Sequence, residues 1–274
     1  MEKAYSQDSD THTKFGYFAP RFFVLIVGVL LSVGCYFYLS EQDYKKAFEQ
    51  IKNQNKQRAL AIASNANDRL VVLRSLRSHI QTQETLSEND FNRLAKLFLE
   101  HYPDILAIEW APRIPDALRQ DFEASMQLAG IKNYQIQQYD AANKISPSDS
   151  KNHYIPIQFV VPESERPTVI GLDLSSVNHW EDLLEKAQNQ DAPVASPITT
   201  IKQGEKNQTS IRIFYPVFDD EHLIKGFLTM VIELDQFVRY TLQGYELSSI
   251  STELYDLDQQ SKLPIYTWSG QQSN

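Results

Sequence analysis

The feature that most constrains this chain is an apolar run near its N-terminus. Residues 20–39 read PRFFVLIVGVLLSVGCYFYL, and Arg21 is the only charged residue among them. A helix of about 20 apolar residues crosses the hydrocarbon core of a bilayer. The run therefore predicts one transmembrane helix over residues 20–39. Residues 1–19 are then a cytoplasmic tail, because a long domain such as the one after Leu39 is exported largely regardless of its charge.

Two kinds of N-terminal processing compete with an uncleaved anchor. A cleaved signal would need an A-x-A-like site after the run, and none follows it. A lipoprotein signal would need a branched apolar residue three places before Cys35, where Ser32 stands instead. We therefore expect a single-span signal anchor in the inner (cytoplasmic) membrane, with the following domain in the periplasm or extracytoplasmic space, and keep lipidation of Cys35 as the alternative.

Composition and motifs exclude several classes of function. With 26 Lys+Arg against 35 Asp+Glu the net charge is −9, which argues against a nucleic-acid partner. One cysteine cannot form an internal disulfide, and the six histidines do not fall at metal-ligand spacing, so no metal or other cofactor is expected. No nucleotide-binding, hydrolase, metalloprotease or kinase motif occurs, and pairs such as Asp219-Asp220 suit turns. We expect no enzyme.

A long amphipathic stretch follows the apolar run. From Tyr44 to Ile80 apolar or small residues recur about every 3.6 residues, the period of a straight helix, with Asn55 filling one place in the series. We predict a stalk helix over residues 40–86. Its C-terminal half is expected to pack on its own domain, and its half near the membrane, with Tyr44, Phe48 and Ile51, to pair with a second subunit in a parallel homodimer.

The remaining sequence alternates helix and strand patterns. Ser87 and Asp90 resemble a capping box that opens a helix ending before Pro103, and further helices are expected before Gly130, at Trp180–Gln190 and at Asp235–Leu242. The predicted strands are Ile105–Trp110, Tyr134–Tyr139, Tyr154–Val161, Ile170–Leu174, Pro193–Lys202, Ser210–Phe218, Ile224–Leu234, Thr252–Asp256 and Leu263–Trp268. Helices beside largely antiparallel strands predict an α+β fold. Because the pattern comes in two rounds, we expect two stacked sensor-like subdomains.

Several short motifs, in order and with regular spacing, resemble the CHASE domain, the extracytoplasmic sensor of histidine kinases, diguanylate cyclases and plant cytokinin receptors. They are Ile108–Arg113, Leu118–Glu123, Tyr154–Pro162, Gly171–Leu174, Ala187 with Val194–Ile198, Phe214–Phe218, and Gly226-Phe227 leading to Leu234-Asp235. The resemblance implies a sensor core over residues 87–240 with a small-ligand pocket in a membrane-distal PAS-like subdomain. Residues 241–274 then begin a membrane-proximal sheet.

The same resemblance suggests where a small organic ligand would bind. The family's ligand-lining pieces correspond here to the segments Tyr154–Pro162, Val194–Thr199 and Ser210–Phe218. The candidate ligand-binding residues are Phe159, Val161, Pro162, Ala195, Ser196, Ile198, Arg212 and Phe214. Pro162 and Ala195 stand where cytokinin-binding members have a polar aspartate and threonine, so the pocket is expected to reject adenine-type cytokinins.

Strand alternation indicates which side of the sheet Arg212 faces. If Ile211, Ile213 and Tyr215 face one side of their strand, Arg212 and Phe214 face the other. An arginine in an apolar pocket would bind a carboxylate through two hydrogen bonds. The alternative is an Arg212 at the sheet surface. If Arg212 faces the pocket, we expect the ligand to carry a carboxylate.

The expected function is that of a membrane-anchored small-ligand sensor. CHASE proteins usually have a second span and an output domain after the sensor, so we expect this chain to be the N-terminal part of a receptor whose output domain it lacks. The competing hypothesis is an exported protein-interaction domain without a small-molecule ligand. An enclosed pocket would favour the sensor, and a filled interior with an exposed apolar patch would favour the interaction domain.

Overall fold

A computed structural model describes residues 12–84, 86–140, 144–165, 169–177, 179–203, 206–245, 251–255 and 266–269. The chain divides into two compact units, Met1–Ala59 and Leu60–Asn274, and each is described by itself. The first unit contains most of helix α1, which spans His12–Gln81. The predicted span and the predicted stalk are therefore parts of one helix, and this helix ends five residues before the expected boundary at residue 86.

The apolar segment of α1 has the properties of a membrane span. Its side chains are exposed from Phe23 to Leu39, including Leu25 and Leu31. Within the described residues, α1 is the one helix whose length and apolar composition would allow it to cross a membrane. Tyr44, Phe48 and Ile51 are also exposed in the single chain, and the homodimer stays a prediction.

The second unit is built on one antiparallel sheet of six strands. Five of them follow the order β6-β1-β10-β9-β7, and β8 pairs with β9 beyond the end of β7. If the sheet strands are renumbered in chain order, with β7 and β8 counted together as the third, their order across the sheet is 2-1-5-4-3. Their bounds are β1 Ile105–Pro112, β6 Phe159–Val161, β7 Val194–Ala195, β8 Thr199–Gln203, β9 Lys206–Phe218 and β10 Ile224–Glu233.

Each face of the sheet is packed against helices. The first face, which we call the stalk face, carries Ile108, Met230 and Ile213, and these pack with apolar residues of α1, α2 (Glu88–His101) and α5 (Leu234–Leu242). The opposite face, which we call the α4 face, carries Phe214 and Val231, and α4 (Trp180–Gln190) packs on it. Alternating side chains on each strand supply the two separate cores.

The C-terminal half of the stalk stripe packs as predicted. Leu73 and Ile80 are buried in the core of the stalk face, and Ile62 and Leu70 pack against it. The predicted cap of α2 is confirmed, because the Ser87 hydroxyl accepts a hydrogen bond from the Asp90 backbone N–H at 3.1 Å.

A smaller layer extends the α4 face. Helix α3 (Arg119–Leu128) lies near two short sheets, formed by β2 (Ile114–Pro115) with β5 (His153–Tyr154) and by β3 (Gln137–Tyr139) with β4 (Ile145–Pro147). Met126, Tyr134, Ile136 and Tyr154 form its core. The fully buried Tyr154 hydroxyl donates to Asp116 at 2.6 Å, so this tyrosine is a core aromatic.

Three predicted strands are split, interrupted or replaced by a loop, and a fourth, Tyr134–Tyr139, is a strand only over Gln137–Tyr139. Tyr154–Val161 splits into β5 and β6, because the chain crosses from the small β2–β5 sheet to the main sheet and Pro156 has no N–H to donate. Ile170–Leu174 is a loop that ends in a 3-10 turn at Leu174–Ser176. Pro193–Lys202 is interrupted between β7 and β8, where Pro197 breaks the pairing.

Two glycines allow close backbone approach. Gly171 has φ +84°, and a Cβ there would lie 2.7 Å from the Gln135 carbonyl oxygen. Gly226 has φ +156°, and a Cβ there would lie 2.3 Å from the Ala111 carbonyl oxygen. Only glycine fits these positions without moving the backbone.

The predicted second subdomain falls only partly on described residues. Strands β11 (Ser251–Leu254) and β12 (Tyr266–Ser269) pair antiparallel. They overlap the predicted Thr252–Asp256 and Leu263–Trp268, but residues 256–265 lie outside the described part of the chain. A second stacked subdomain stays a prediction.

Candidate functional site

The α4 face holds a buried cluster of polar side chains. Helix α4 contributes buried Leu184 and Ala187 to the core. At its N-terminal end the Trp180 ring meets the edge of Phe214, with ring centroids 5.3 Å apart. Beneath Trp180, three neighbouring strands bring together one charged pair and one hydroxyl.

This polar trio consists of Glu109 in β1, Thr229 in β10 and Arg212 in β9. Glu109 lies directly opposite Thr229 in the sheet, and the Thr229 hydroxyl donates to Glu109 Oε2 at 2.6 Å. Arg212 Nη1 donates to the same oxygen and contacts Thr229 Oγ1 at 3.2 Å. The guanidinium lies 4.9 Å from the Trp180 ring centroid, which adds a cation–π contact.

Arg212 therefore faces the α4 side, as the alternation indicated for Arg212 and Phe214. Its charge is compensated within the chain, because Glu109, which is 1% exposed, supplies the carboxylate. The inference that a lone buried guanidinium requires an anionic ligand thus loses its premise. The carboxylate of Glu109 already supplies the negative charge that the buried Arg212 guanidinium needs.

A cavity of about 240 Å³ opens at the rim of the α4 face, beside the N-terminal half of α4. Its walls combine an arginine, two glutamates and a histidine with a buried apolar floor. The lining residues are Arg113, His153, Ile155, Ser175, Glu181, Leu184, Glu185, Gln188 and Phe227. We call this the rim cavity. It is smaller than the roughly 300–1,000 Å³ of sites for drug-sized ligands.

The walls of the rim cavity are held by the sheet and by a buried aspartate. The Arg113 backbone N–H donates to the Lys225 carbonyl at 2.8 Å, which fixes the chain just after β1. Asp173, fully buried, accepts hydrogen bonds from the backbone N–H groups of Ile155 at 2.9 Å and Ser175 at 3.1 Å. Lys151 Nζ lies 2.7 Å from Asp173 Oδ2. These contacts fix the backbone at Arg113, Ile155 and Ser175, which line the cavity.

His153, which lines the cavity, has a pKa below its ordinary value. Burial lowers the pKa of His153, and the neighbouring positive charge of Arg113 lowers it further. Asp173 and Glu181 act in the opposite direction. Because the net direction is down, the imidazole is neutral at physiological pH.

Two further depressions lie on the stalk side and at the sheet edge. An apolar groove of about 250 Å³ is lined by Ala66, Leu70, Pro193, Ala195, Ile211, Ile213, Ile232, Leu234 and Phe237. A second groove, of about 500 Å³, runs between α2 and the end of β6 and includes Val161, Pro162 and Glu163.

The eight sequence-predicted ligand residues do not share one cavity. Arg212 and Phe214 lie on the α4 face, whereas Phe159 and Val161 belong to the core of the stalk face, where the Phe159 ring centroid is 5.9 Å from that of Phe91. The other four lie along the rims. Pro162 lines the groove beside α2, Ala195 lines the apolar groove, Ser196 accepts from the Arg212 backbone N–H at 3.0 Å, and Ile198 follows β7.

The split has a simple cause. Consecutive residues of a strand face opposite sides of the sheet, so Phe159 and Val161 point away from the side that Val160 faces. Except at the strand of Arg212, the family resemblance selected whole segments without choosing a face of the sheet. It also missed Glu109, Arg113 and Trp180; the first two lie in the first CHASE-like motif, which was the available signal.

In the described residues no group of three or more His, Cys, Asp or Glu side chains comes together as metal ligands. Arg119 is a structural residue of the small layer. Burial lowers its pKa, but hydrogen bonds to Glu123 and Tyr154 outweigh this and raise the pKa of Arg119. The charged and hydroxyl groups of the α4 face, among them Glu109, Arg212 and Thr229, can recognise a ligand by charge and hydrogen bonding.

Comparison with known proteins assigns the sequence to a family. The hybrid signal transduction histidine kinase A of Dictyostelium discoideum is 21% identical over 254 residues, which cover 86% of this chain and 12% of that protein. The periplasmic sensory domain of the Campylobacter jejuni chemoreceptor Tlp1 matches with 11% identity and a TM-score of 0.42, covering 70% of this chain and 62% of that one.

The ligand-binding domain of the Pseudomonas aeruginosa PAO1 amino acid chemoreceptor PctC, in complex with GABA, matches with 9% identity and a TM-score of 0.34 over 68% of this chain and 62% of that one. The chain spans less than two thirds of the length of each of these proteins. A family model described as the CHASE domain matches residues 84–266, about two thirds of the chain. The protein belongs to the CHASE-domain family, a family of sensory domains, as the motifs from Ile108 to Asp235 indicated.

Proposed function

We propose that this protein is a membrane-anchored extracytoplasmic sensor that binds a small ligand on the α4 face and passes the binding event to helix α1. The observation that carries the proposal is a direct link between the two sides of the sheet. Arg77 of α1 pairs with Asp191, the residue that ends α4, with Nη2 and Oδ1 2.5 Å apart.

The link is built to transmit displacement. The Arg77 guanidinium lies 4.6 Å from the Tyr215 ring centroid on the stalk face, so β9 holds it in place. Asp191 has the left-handed backbone conformation that ends α4. A ligand that shifts α4 must therefore change the pairing geometry of a residue on α1.

The apolar segment of α1 supports membrane anchoring by a single span. We propose that residues 1–19 stay in the cytoplasm and that residues after Leu39 lie outside it, with the inner membrane as the site of anchoring. The protein should remain in the membrane fraction after salt and alkaline extraction and should retain its N-terminal tail. A mature protein that begins near Ser40, or a lipidated Cys35, would contradict the uncleaved anchor.

The PAS-like character of the sensor core is also a proposal. An antiparallel sheet with the chain-order sequence 2-1-5-4-3 and helices on both faces supports it. The absence of polar anchors at Pro162 and Ala195 supports rejection of adenine-type cytokinins. A carboxylate ligand remains in the proposal, but Arg212 alone no longer argues for it.

Dimerisation is proposed for the half of α1 nearest the membrane. In a Cys35→Ser background, single cysteines at positions 41–51 should cross-link in membranes with a helical periodicity that includes Tyr44, Phe48 and Ile51. Cross-linking that finds only monomers across these positions would contradict a parallel homodimer.

The central test is a ligand screen on the full-length chain in lipid nanodiscs. Small organic acids, amino acids and purines are added separately, and thermal unfolding is followed by tryptophan fluorescence. A compound that binds only the folded state raises the melting temperature. If no compound of any class does so, the sensor proposal fails and the protein-interaction domain becomes the better explanation.

A further inference from the structure

We propose that the rim cavity binds a small zwitterion, a free amino acid, with the ligand carboxylate on Arg113 and the ligand ammonium group on Glu181 and Glu185. The inference rests on the proposed sensor function and specifies the class of ligand. It is carried by the unpaired charges of the cavity, by its size and by its apolar floor.

The opposite charges line one cavity without pairing with each other. In the part of the chain that the structure describes, no carboxylate forms an ion pair within 4 Å of the Arg113 guanidinium, and no cation does so with Glu181 or Glu185. A ligand with a single negative charge would meet two glutamates, and a ligand with a single positive charge would meet Arg113. Only a ligand that carries both charges is attracted by both groups.

Simpler roles explain only part of this arrangement. Glu181 lies in the first turn of α4, where a carboxylate stabilises the positive end of the helix dipole. This accounts for Glu181 but not for Glu185, which lies one turn later, nor for Arg113, which follows β1. All three side chains are exposed at the mouth of the cavity, where water hydrates them until a ligand with opposite charges displaces it.

The size and floor of the cavity match a small aliphatic compound. A volume of 240 Å³ holds on the order of eight waters at about 30 Å³ each, which is the scale of an amino acid with a short side chain. Phe227, Ile155 and Leu184 form a buried apolar floor, with 1%, 4% and 3% of their surfaces exposed. An apolar side chain of the ligand would pack there while its two charged groups reach the rim.

The experiment compares charge types on the full-length chain in nanodiscs. The standard L-amino acids are screened by thermal shift, and each hit is compared with the two analogues that lack one charged group. For valine these are isovalerate, which lacks the amine, and isobutylamine, which lacks the carboxylate. At least one amino acid should raise the melting temperature, and its single-charge analogues should bind at least tenfold more weakly.

Variants then test the assigned residues. Arg113→Ala should weaken amino-acid binding at least tenfold, and the double variant Glu181→Gln/Glu185→Gln should do the same. Asp182→Asn is the matched control, since Asp182 is an exposed carboxylate on α4 that does not line the rim cavity, and it should leave binding unchanged. Unliganded melting temperatures of all variants verify that they fold.

The outcomes separate this inference from the sensor proposal. If organic acids or purines raise the melting temperature while amino acids do not, the sensor proposal stands and the zwitterion site is wrong. The same conclusion follows if an amino acid binds equally well to wild type and Arg113→Ala. If no compound of any class binds, both proposals fail.

Discussion

The buried ion pair between Arg69 of α1 and Asp104 leads to a quantitative stability prediction. Arg69 Nε and Nη2 donate to the two carboxylate oxygens of Asp104 at 3.0 and 2.5 Å. Both side chains are fully buried. The guanidinium also lies 4.4 Å from the Tyr102 ring centroid. This pair joins helix α1 to the residues that directly precede β1.

Replacement of Arg69 by methionine leaves a buried carboxylate without its partner. In the described part of the chain, the Asp104 side chain has no hydrogen-bond donor other than Arg69. Removing one member of a buried pair typically costs about 3–5 kcal/mol. For a unit of this size, each kcal/mol corresponds to roughly 2–4 °C, so the melting temperature should fall by about 6–20 °C.

Urea unfolding of the chain in detergent, followed by tryptophan fluorescence, measures the change in the free energy of unfolding, and thermal unfolding measures the change in melting temperature. The control is Arg93→Met, which removes an exposed arginine that pairs with Asp90 on α2, with 71% of the Arg93 side chain accessible. An exposed pair contributes only about 0–1 kcal/mol. The double variant Arg69→Met/Asp104→Leu should regain at least half of the free energy of unfolding lost in Arg69→Met, because no uncompensated buried charge remains.

The reasoning would be refuted if Arg69→Met and Arg93→Met destabilised the protein equally. It would also be refuted if the double variant were less stable than Arg69→Met alone. The first result would mean that water or another group compensates Asp104, and the second that the site cannot pack apolar side chains.

Three further predictions concern pH, coupling and backbone strain. Since the pKa of His153 is lowered in the fold from its ordinary 6.5, the unfolded chain takes up the proton more readily. The contribution of neutral His153 to the free energy of unfolding is full above pH 6.5 and is lost as the pH falls through the lower folded-state pKa. Urea titrations at several pH values should show this loss of stability toward low pH, and the loss should be smaller in His153→Gln. Asp191→Asn should cost no more than about 1 kcal/mol because the pair with Arg77 is partly exposed, yet it should reduce the ligand-induced spectral change of a fluorophore on Cys35; an unchanged response at equal ligand affinity would argue against coupling through this pair. Gly171→Ala should be at least about 1 kcal/mol more destabilising than Gly130→Ala in urea unfolding, because both glycines have positive φ but only Gly171 meets a carbonyl oxygen where the Cβ would be; equal losses would contradict the steric explanation.

Local sequence patterns predicted the helices and strands that carry a cap or a regular apolar period within their own residues. The Ser87 cap and the apolar period predicted α2, and the patterns at Trp180–Gln190 and Ile224–Leu234 predicted α4 and β10 to within one residue. Strand extents were less predictable where proline interrupts pairing, as at Pro156 and Pro197. There the chain changes partners, and the partner segments are distant in the sequence.

The candidate site was predictable only in part. Alternation placed Arg212 and Phe214 on one face correctly, because the two-residue period of a strand is local. The partner of Arg212 could not be predicted, because Glu109 lies 103 residues earlier and comes within reach only through the order β1-β10-β9. The rim cavity likewise combines α4, β10 and loops that no local pattern connects.

By itself, the sequence determined the apolar span, the long helix, the two alternating faces of the strands and the CHASE-like motifs, since each is written in the spacing of neighbouring residues. Only the tertiary structure decided which charges meet. Arg69 lies next to Leu70 of the apolar stripe, and although an arginine side chain usually lies at the surface, this one is fully buried against Asp104. Buried charges are tolerated only when a specific partner compensates their lost hydration, and that partner is chosen by strand order and helix docking. The charges that define the polar trio, the link at Arg77 and the rim cavity are for that reason properties of the fold.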